Sequence, residues 1–158
     1  MANAPIKSPL SPADKEITGN ALQAALVDLV DLSLIAKQAH WNVVGSNFRS
    51  VHLQLDELVA TARNYVDEVA ERANAIGISP NGKAKTVVES SGLKDYPDNW
   101  QSVESTIENI VNILADLIQR MRKRIDETDK SDLVTQDLFI EITHELEKAH
   151  WMWQAQTA

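Results

Sequence analysis

Five residues carry the chemistry open to this sequence: His40, His52, Asp56, Asp67 and Glu71, all within KQAHWNVVGSNFRSVHLQLDELVATARNYVDEVAER. The chain has no cysteine, so a disulfide framework, a thiolate metal site and a cysteine nucleophile are excluded. Imidazole and carboxylate remain, a donor set that suits iron, manganese or zinc. Wound as a helix at about 100° per residue, Asp56, Asp67 and Glu71 fall about 40°, 60° and 100° from His52, roughly one quadrant of the surface. They form a His/Asp pair and an Asp/Glu pair, each at i, i+4.

One ion cannot be held by both pairs of the same helix. Asp67 follows His52 by 15 residues, roughly 22 Å along the axis, whereas metal bonds are about 2 Å long. An antiparallel two-fold partner removes the difficulty. His52 and Asp56 of one copy would meet Asp67 and Glu71 of the other, twice per dimer. The dyad would fall near residue 61 or 62, where Ala60 and Ala62 permit close approach. His40, at the end of the preceding helix, adds a ligand beside His52. The competing interpretation is a solvated helix face, with Asp56-Glu57 and Asp67-Glu68 exposed in either case. Against it, Trp41 and Phe48 flank the region, and two of the four histidines lie within 13 positions.

Other clusters are less complete. Glu141-Ile-Thr-His144 has the spacing of a di-iron bundle motif, but that site needs the motif on two helices and it occurs once. HELEK at 144–148 puts Lys148 where a zinc protease needs its second histidine. His144 therefore reads as surface or packing, and His150 as structural. Trp41, Trp151 and Trp153 read as core and interface aromatics, although a tryptophan beside an oxidising metal also donates electrons. Asp132, Asp137 and Glu141 suit a helix N-terminus; repeated around a symmetry axis they would line a funnel for cations.

Four long helices must position these groups. Ser11-Pro12 is an N-cap followed by Pro at the first helical position, and Ile17, Leu22, Ala25, Leu26, Leu29, Leu32 and Ile35 form a stripe reaching about His40. A second helix follows WNVVGSN, capped by Ser46 or Asn47 and ended by Gly77. The third is expected from Asp98, with a heptad-like seam of Val103, Ile107, Ile110, Leu114, Leu117 and Met121. The fourth opens near Ser131 and runs through Leu138, Ile142, Leu146 and Ala149. Short joints make two antiparallel hairpins. The roughly 20 residues between them span up to about 65 Å, enough to run back along a bundle about 42 Å long. KAKTVVESS within that segment forms a short helix. The expected fold is all-α: a four-helix bundle with one long crossover carrying a short helix, with a simple up-and-down bundle as the fallback.

The 158 residues suffice for one core, expected as a flexible tail at 1–10, a single domain at 11–155 and a short end at 156–158. Lys and Arg number 15 against 23 Asp and Glu, a net charge of −8 that repels phosphate backbones. MANAPIKSPLSP lacks the apolar stretch of a signal peptide, and no run of about 18 apolar residues occurs, so a cytoplasmic protein with no membrane partner is expected.

KQAHWNVVGSNFRSVHLQLDEL followed by DEVAER, with its H-W-N-(x)9-H…D-x-x-x-E core, resembles the Dps miniferritins, and the likeness extends from roughly Ile17 to Trp153. It implies a ferritin-like bundle assembled from two-fold dimers into a hollow homo-dodecamer. It implies two iron ions (Fe2+/Fe3+) per inter-subunit site, held by His40, His52 and Asp56 of one subunit and Asp67 and Glu71 of its mate. Trp41 and Trp151 match tryptophans beside that site, and Asp132, Asp137 and Glu141 match the acidic three-fold pore. The implied activity is a ferroxidase that oxidises Fe(II), preferably with hydrogen peroxide, stores the Fe(III) mineral and protects against oxidative stress. Members that condense DNA usually carry a lysine-rich tail. Here the N-terminus offers Lys7 and Lys15 and QAQTA has no charged side group, while twelve copies would carry about −96. DNA binding is therefore expected to be weak or absent, and the location cytoplasmic or nucleoid-associated. Two other readings stay open: a metal-dependent hydrolase using the same centre, and a DNA-compacting structural protein.

Overall fold

Three of the helix starts in this protein are set by polar side groups that satisfy otherwise orphaned amides. In the computed structural model, which describes residues 5–157, α1 (Pro12–Asn42) opens where Ser11 Oγ accepts the Asp14 N–H at 3.2 Å. The Asp14 carboxylate accepts a hydrogen bond from the Ser11 hydroxyl in return, at 2.6 Å. Leu22, Ala25, Leu26, Leu29, Leu32 and Ile35 are buried as their spacing predicts. Ile17 is not: it is 47% exposed, because the inward position at that level belongs to Thr18, whose hydroxyl donates to Ser131.

Two residues, β1 (Val43–Val44), lead into α2 (Phe48–Ala75), which Asn47 precedes with a left-handed backbone (φ 66°) and without a capping hydrogen bond from its amide group. At the other end Gly77 takes φ 75°, the left-handed stop its position predicts. A Cβ there would also fall 2.8 Å from the Ile6 carbonyl oxygen. Gly77→Ala is expected to cost about 1–3 kcal/mol, checked by the shift in urea midpoint at unchanged slope.

The crossover, residues 76–102, contains α3 (Ala84–Ser90), with Val87 buried, and ends in β2 (Gln101–Ser102). β2 pairs in parallel with β1, Val43 against Gln101 and Val44 against Ser102, a contact the sequence pattern did not anticipate. The pairing shows that the crossover leads from the end of α2 back to the α1–α2 turn, so that α4 (Val103–Thr128) runs antiparallel to α1. The third long helix thus starts at Val103 rather than Asp98. Residues 101–102 are extended in the bridge, and Ser102 is the N-cap, accepting the Ser105 N–H at 3.1 Å. All six seam residues of α4 are buried. α5 (Leu133–Gln154) returns alongside, capped by Asp132. At the far end Thr18 meets Ser131 and Arg72 meets Asp132, tying α1 and α2 to the α4–α5 turn.

This is the ferritin-like bundle with one long crossover, built around one contiguous hydrophobic cluster. α1 is the one helix among the described residues long and apolar enough to cross a membrane, yet 67% of its most apolar stretch is buried inside the bundle. It is the core helix. Of the expected tails, Met1–Ala4 and Ala158 lie outside the described residues.

Candidate metal centre

Where α1 ends and α2 begins, two imidazoles stack face to face. The rings of His40 and His52 lie 3.6 Å apart, 20° from parallel. Each Nδ1 sits 2.8 Å from the other residue's backbone carbonyl. A carbonyl oxygen only accepts, so both Nδ1 atoms donate, and in the neutral rings both Nε2 atoms keep a lone pair for a cation. Phe48 packs edge-on against His52, with ring centres 6.1 Å apart. Trp41, the residue after His40, is 67% exposed.

Asp56 lies one turn beyond His52. Its Oδ1 accepts from Lys37 Nζ at 2.6 Å and stands 3.4 Å from His40 Nδ1. The Lys37 hydrogen bond, helped by the nearby histidines, holds the Asp56 carboxyl below the ordinary carboxylate value. Lys37 therefore occupies the charge position that a cation on Asp56 would take. Lys37→Met is expected to tighten divalent-cation binding on this side by up to about tenfold, read from a Co(II) titration. An unchanged isotherm removes Lys37 from the site.

Asp67 and Glu71 continue along α2, both exposed and neither in a hydrogen bond or ion pair among the described residues. Among those residues, no group of three His, Asp or Glu is gathered closely enough to hold an ion. His40, His52 and Asp56 are brought together; Asp67 and Glu71 are not brought to them. The Ala60 and Ala62 expectation needs correction. Ala60 is exposed, but Ala62 is fully buried in the core and offers nothing to a second subunit.

The ferritin-like domain profile matches residues 19–158. Over 146 residues the sequence is 36% identical to the DNA protection during starvation protein of Mycolicibacterium smegmatis, covering 92% of this chain and 80% of that protein. It is 34% identical over 146 residues to the fine tangled pili major subunit of Haemophilus ducreyi, covering 92% and 77%. It superposes on the structure of Dps from Microbacterium arborescens in the high iron form with a TM-score of 0.90, at 30% identity, covering 96% of this chain and 98% of that one. The chain belongs to the Dps family of ferritin-like proteins.

In this Dps protein the acidic residues of α5 differ in availability. Asp132 is buried as the helix cap. Burial alone would push its carboxyl up, but hydrogen bonds from Thr135 and Arg72 (2.5 Å from Arg72) outweigh that and hold it below its ordinary value. Asp132 is thus committed inside its own subunit, whereas Asp137 and Glu141 are exposed. Tyr65 reaches Glu141 at 3.5 Å. Burial and the neighbouring Glu141, Glu145 and Glu68 charges push its hydroxyl up to about 12. On α5, Trp151 is 64% exposed and Trp153 is buried. His144 is exposed, while His150 is part-buried with Nε2 unpartnered. Sequence reasoning missed Lys37, although it stands three residues before His40 and so shares its helix face.

Proposed function

We propose that this Dps protein is the subunit of a hollow homo-dodecamer that oxidises Fe(II), preferably with hydrogen peroxide, and stores the Fe(III) product, protecting a bacterial cytoplasm from oxidative stress. The supporting observation is the division of donors between the α1–α2 turn and the far part of α2: an imidazole pair next to Asp56, and two carboxylates that are unpaired among the described residues and lie beyond its reach. Such a half-site is completed by a two-fold copy, which gives two equivalent sites per dimer, each taking two iron ions. Leu34 and Trp41 on α1 and Leu53 on α2 leave exposed apolar surface that a second subunit would cover.

At each site Fe(II) is the substrate. His40 and His52 would supply neutral nitrogen donors, and Asp56, Asp67 and Glu71 the negative charge that favours the ferric product. One peroxide takes an electron from each of two Fe(II) ions and leaves as two hydroxides, so no hydroxyl radical is released. The carboxylate of Asp56 must exchange Lys37 for iron during loading. Trp41 and Trp151 stand as electron donors when only one ion is present, and Asp137 and Glu141, with Asp132 behind them, as the lining of the cation pore. An anaerobic Fe(II) load followed by peroxide is expected to give rapid Fe(III) absorbance, lost in His40→Ala and in Asp67→Ala, from a particle of twelve subunits by sedimentation. Rates in both variants equal to that of the unaltered protein would overturn the reading, and ester or amide turnover in place of iron oxidation would favour a hydrolase. The name of the Mycolicibacterium smegmatis relative, DNA protection during starvation protein, raises a role toward DNA as a second reading, but the charge of −8 per subunit supports weak or absent binding.

A further inference from the structure

The crossover holds a chemically unusual dipeptide. Asn81-Gly82 is the one Asn-Gly pair in the sequence, and both residues are exposed. We propose that it is a self-modification site, at which Asn81 is converted to aspartate and isoaspartate by attack of the Gly82 backbone nitrogen.

Three observations converge on this pair. The Gly82 N–H makes no hydrogen bond among the described residues, so its nitrogen is not tied to another acceptor. The amide oxygen of Asn81 accepts from Thr86 Oγ1 at 2.9 Å and from the Lys83 N–H at 3.3 Å. Both donors withdraw electrons from Cγ and stabilise the negative charge that develops on that oxygen when the nitrogen adds. Gln23 on α1 clamps the residue from behind, donating to the Asn81 carbonyl at 2.8 Å and accepting the Asn81 N–H at 2.9 Å. The backbone on either side of Cα is thereby held while the following peptide nitrogen is left available.

The bond changes balance without an oxidant or reductant. Gly82 N bonds to Asn81 Cγ and gives up its proton, the Cγ–Nδ2 bond of the amide breaks, and ammonia leaves. Water then opens the cyclic imide at either carbonyl, giving aspartate or isoaspartate with one added negative charge. In the isoaspartate product the backbone runs through the former Cβ and Cγ of Asn81. The peptide carbonyl that Gln23 gripped becomes a free carboxylate, so the tie between α1 and the crossover is remade.

Trypsin supplies its own control, because the fragment from Ala73 to Lys83 contains both Asn81 and Asn74. Asn74 is exposed too, but it precedes Ala75 within α2. Full-length protein held at mildly alkaline pH is sampled over time by fragment mass spectrometry, with isoaspartyl methyltransferase labelling to identify the product. Conversion is expected at Asn81 at least about tenfold faster than at Asn74. Gly82→Ala should slow it by about tenfold. That variant should fold, because the new Cβ would meet only Leu26 and Val30 methyl groups at 3.9 and 4.0 Å. Thr86→Val, which removes one donor, should slow it about fivefold. Equal rates at Asn74 and Asn81, or no effect of either substitution, would overturn the proposal.

Discussion

Mixing subunits that carry Asp56→Ala with subunits that carry Glu71→Ala is expected to restore iron oxidation that neither shows alone. With the site shared as proposed, every site in a homodimer of either variant would lack a ligand, and the rate should fall on the order of 100-fold. In a mixed dimer both lesions fall in one site. The other receives His40, His52 and Asp56 from the Glu71→Ala subunit and Asp67 and Glu71 from the Asp56→Ala subunit, and is whole. Random reassortment makes half the dimers mixed, so about a quarter of wild-type activity should return. The two variants should fold normally, because Asp56 and Glu71 lie outside the core and Glu71 has no partner among the described residues. The measurement is Fe(III) absorbance after dissociation and reassembly of the mixture. No recovery would place all five ligands within one subunit, contrary to the 15-residue gap between His52 and Asp67.

The part of this site written in local spacing was legible. His52 with Asp56 and Asp67 with Glu71 are one turn apart, and the helix period alone puts them on one side of α2. The same arithmetic, carried further, would have excluded Ala62 from the two-fold face. It lies about 200° around the helix from Ala60, so both cannot point outward. Lys37 shares the His40 face, but its role depends on Asp56, which belongs to another helix. No periodicity reports a contact of that kind. The β1–β2 bridge escaped for a different reason. Two residues per strand are too few for an alternating pattern, and the pairing delayed the start of α4 from Asp98 to Val103. The four long helices and the long crossover were legible because buried stripes and joint lengths are written along the sequence itself. Asp132 was recognisable as acid at a helix start, but its Arg72 partner, 60 positions away, was not.

Least legible of all was Asp28, and its removal should have the largest effect on stability. It stands among apolar residues of α1 and is fully buried. Its carboxylate accepts from Arg120 Nε at 2.9 Å, from the buried Arg124 guanidinium and from the Gly92 N–H at 2.9 Å. One carboxylate therefore joins α1, α4 and the returning crossover. Gly92 is fitted to the arrangement, since a Cβ there would run into the Arg120 guanidinium. Asp28→Ala leaves Arg124 buried without its counter-charge, a loss of about 3–5 kcal/mol. It should appear as a lowered urea midpoint at fixed protein concentration. Asp28→Leu combined with Arg124→Met should recover most of that loss, because the cost lies in the stranded charge rather than in the missing pair. The acid response gives a second readout. Burial raises the Asp28 carboxyl, but the Arg120, Gly92 and Arg124 hydrogen bonds outweigh it and leave it below its unfolded value. The stability it contributes is complete above the ordinary carboxylate range and is lost as pH falls through the folded value. Asp31, raised by burial and by the Asp28 and Asp95 charges, acts with the opposite sign. Its contribution is complete below the unfolded value and lost as pH rises through the folded one. Removing Asp28 should therefore flatten the acid limb of the stability profile and, by taking away the Asp28 charge, shrink the Asp31 limb to what burial and Asp95 sustain. A variant with full stability at neutral pH and an unchanged acid limb would mean that the bundle and its crossover are held together without this carboxylate.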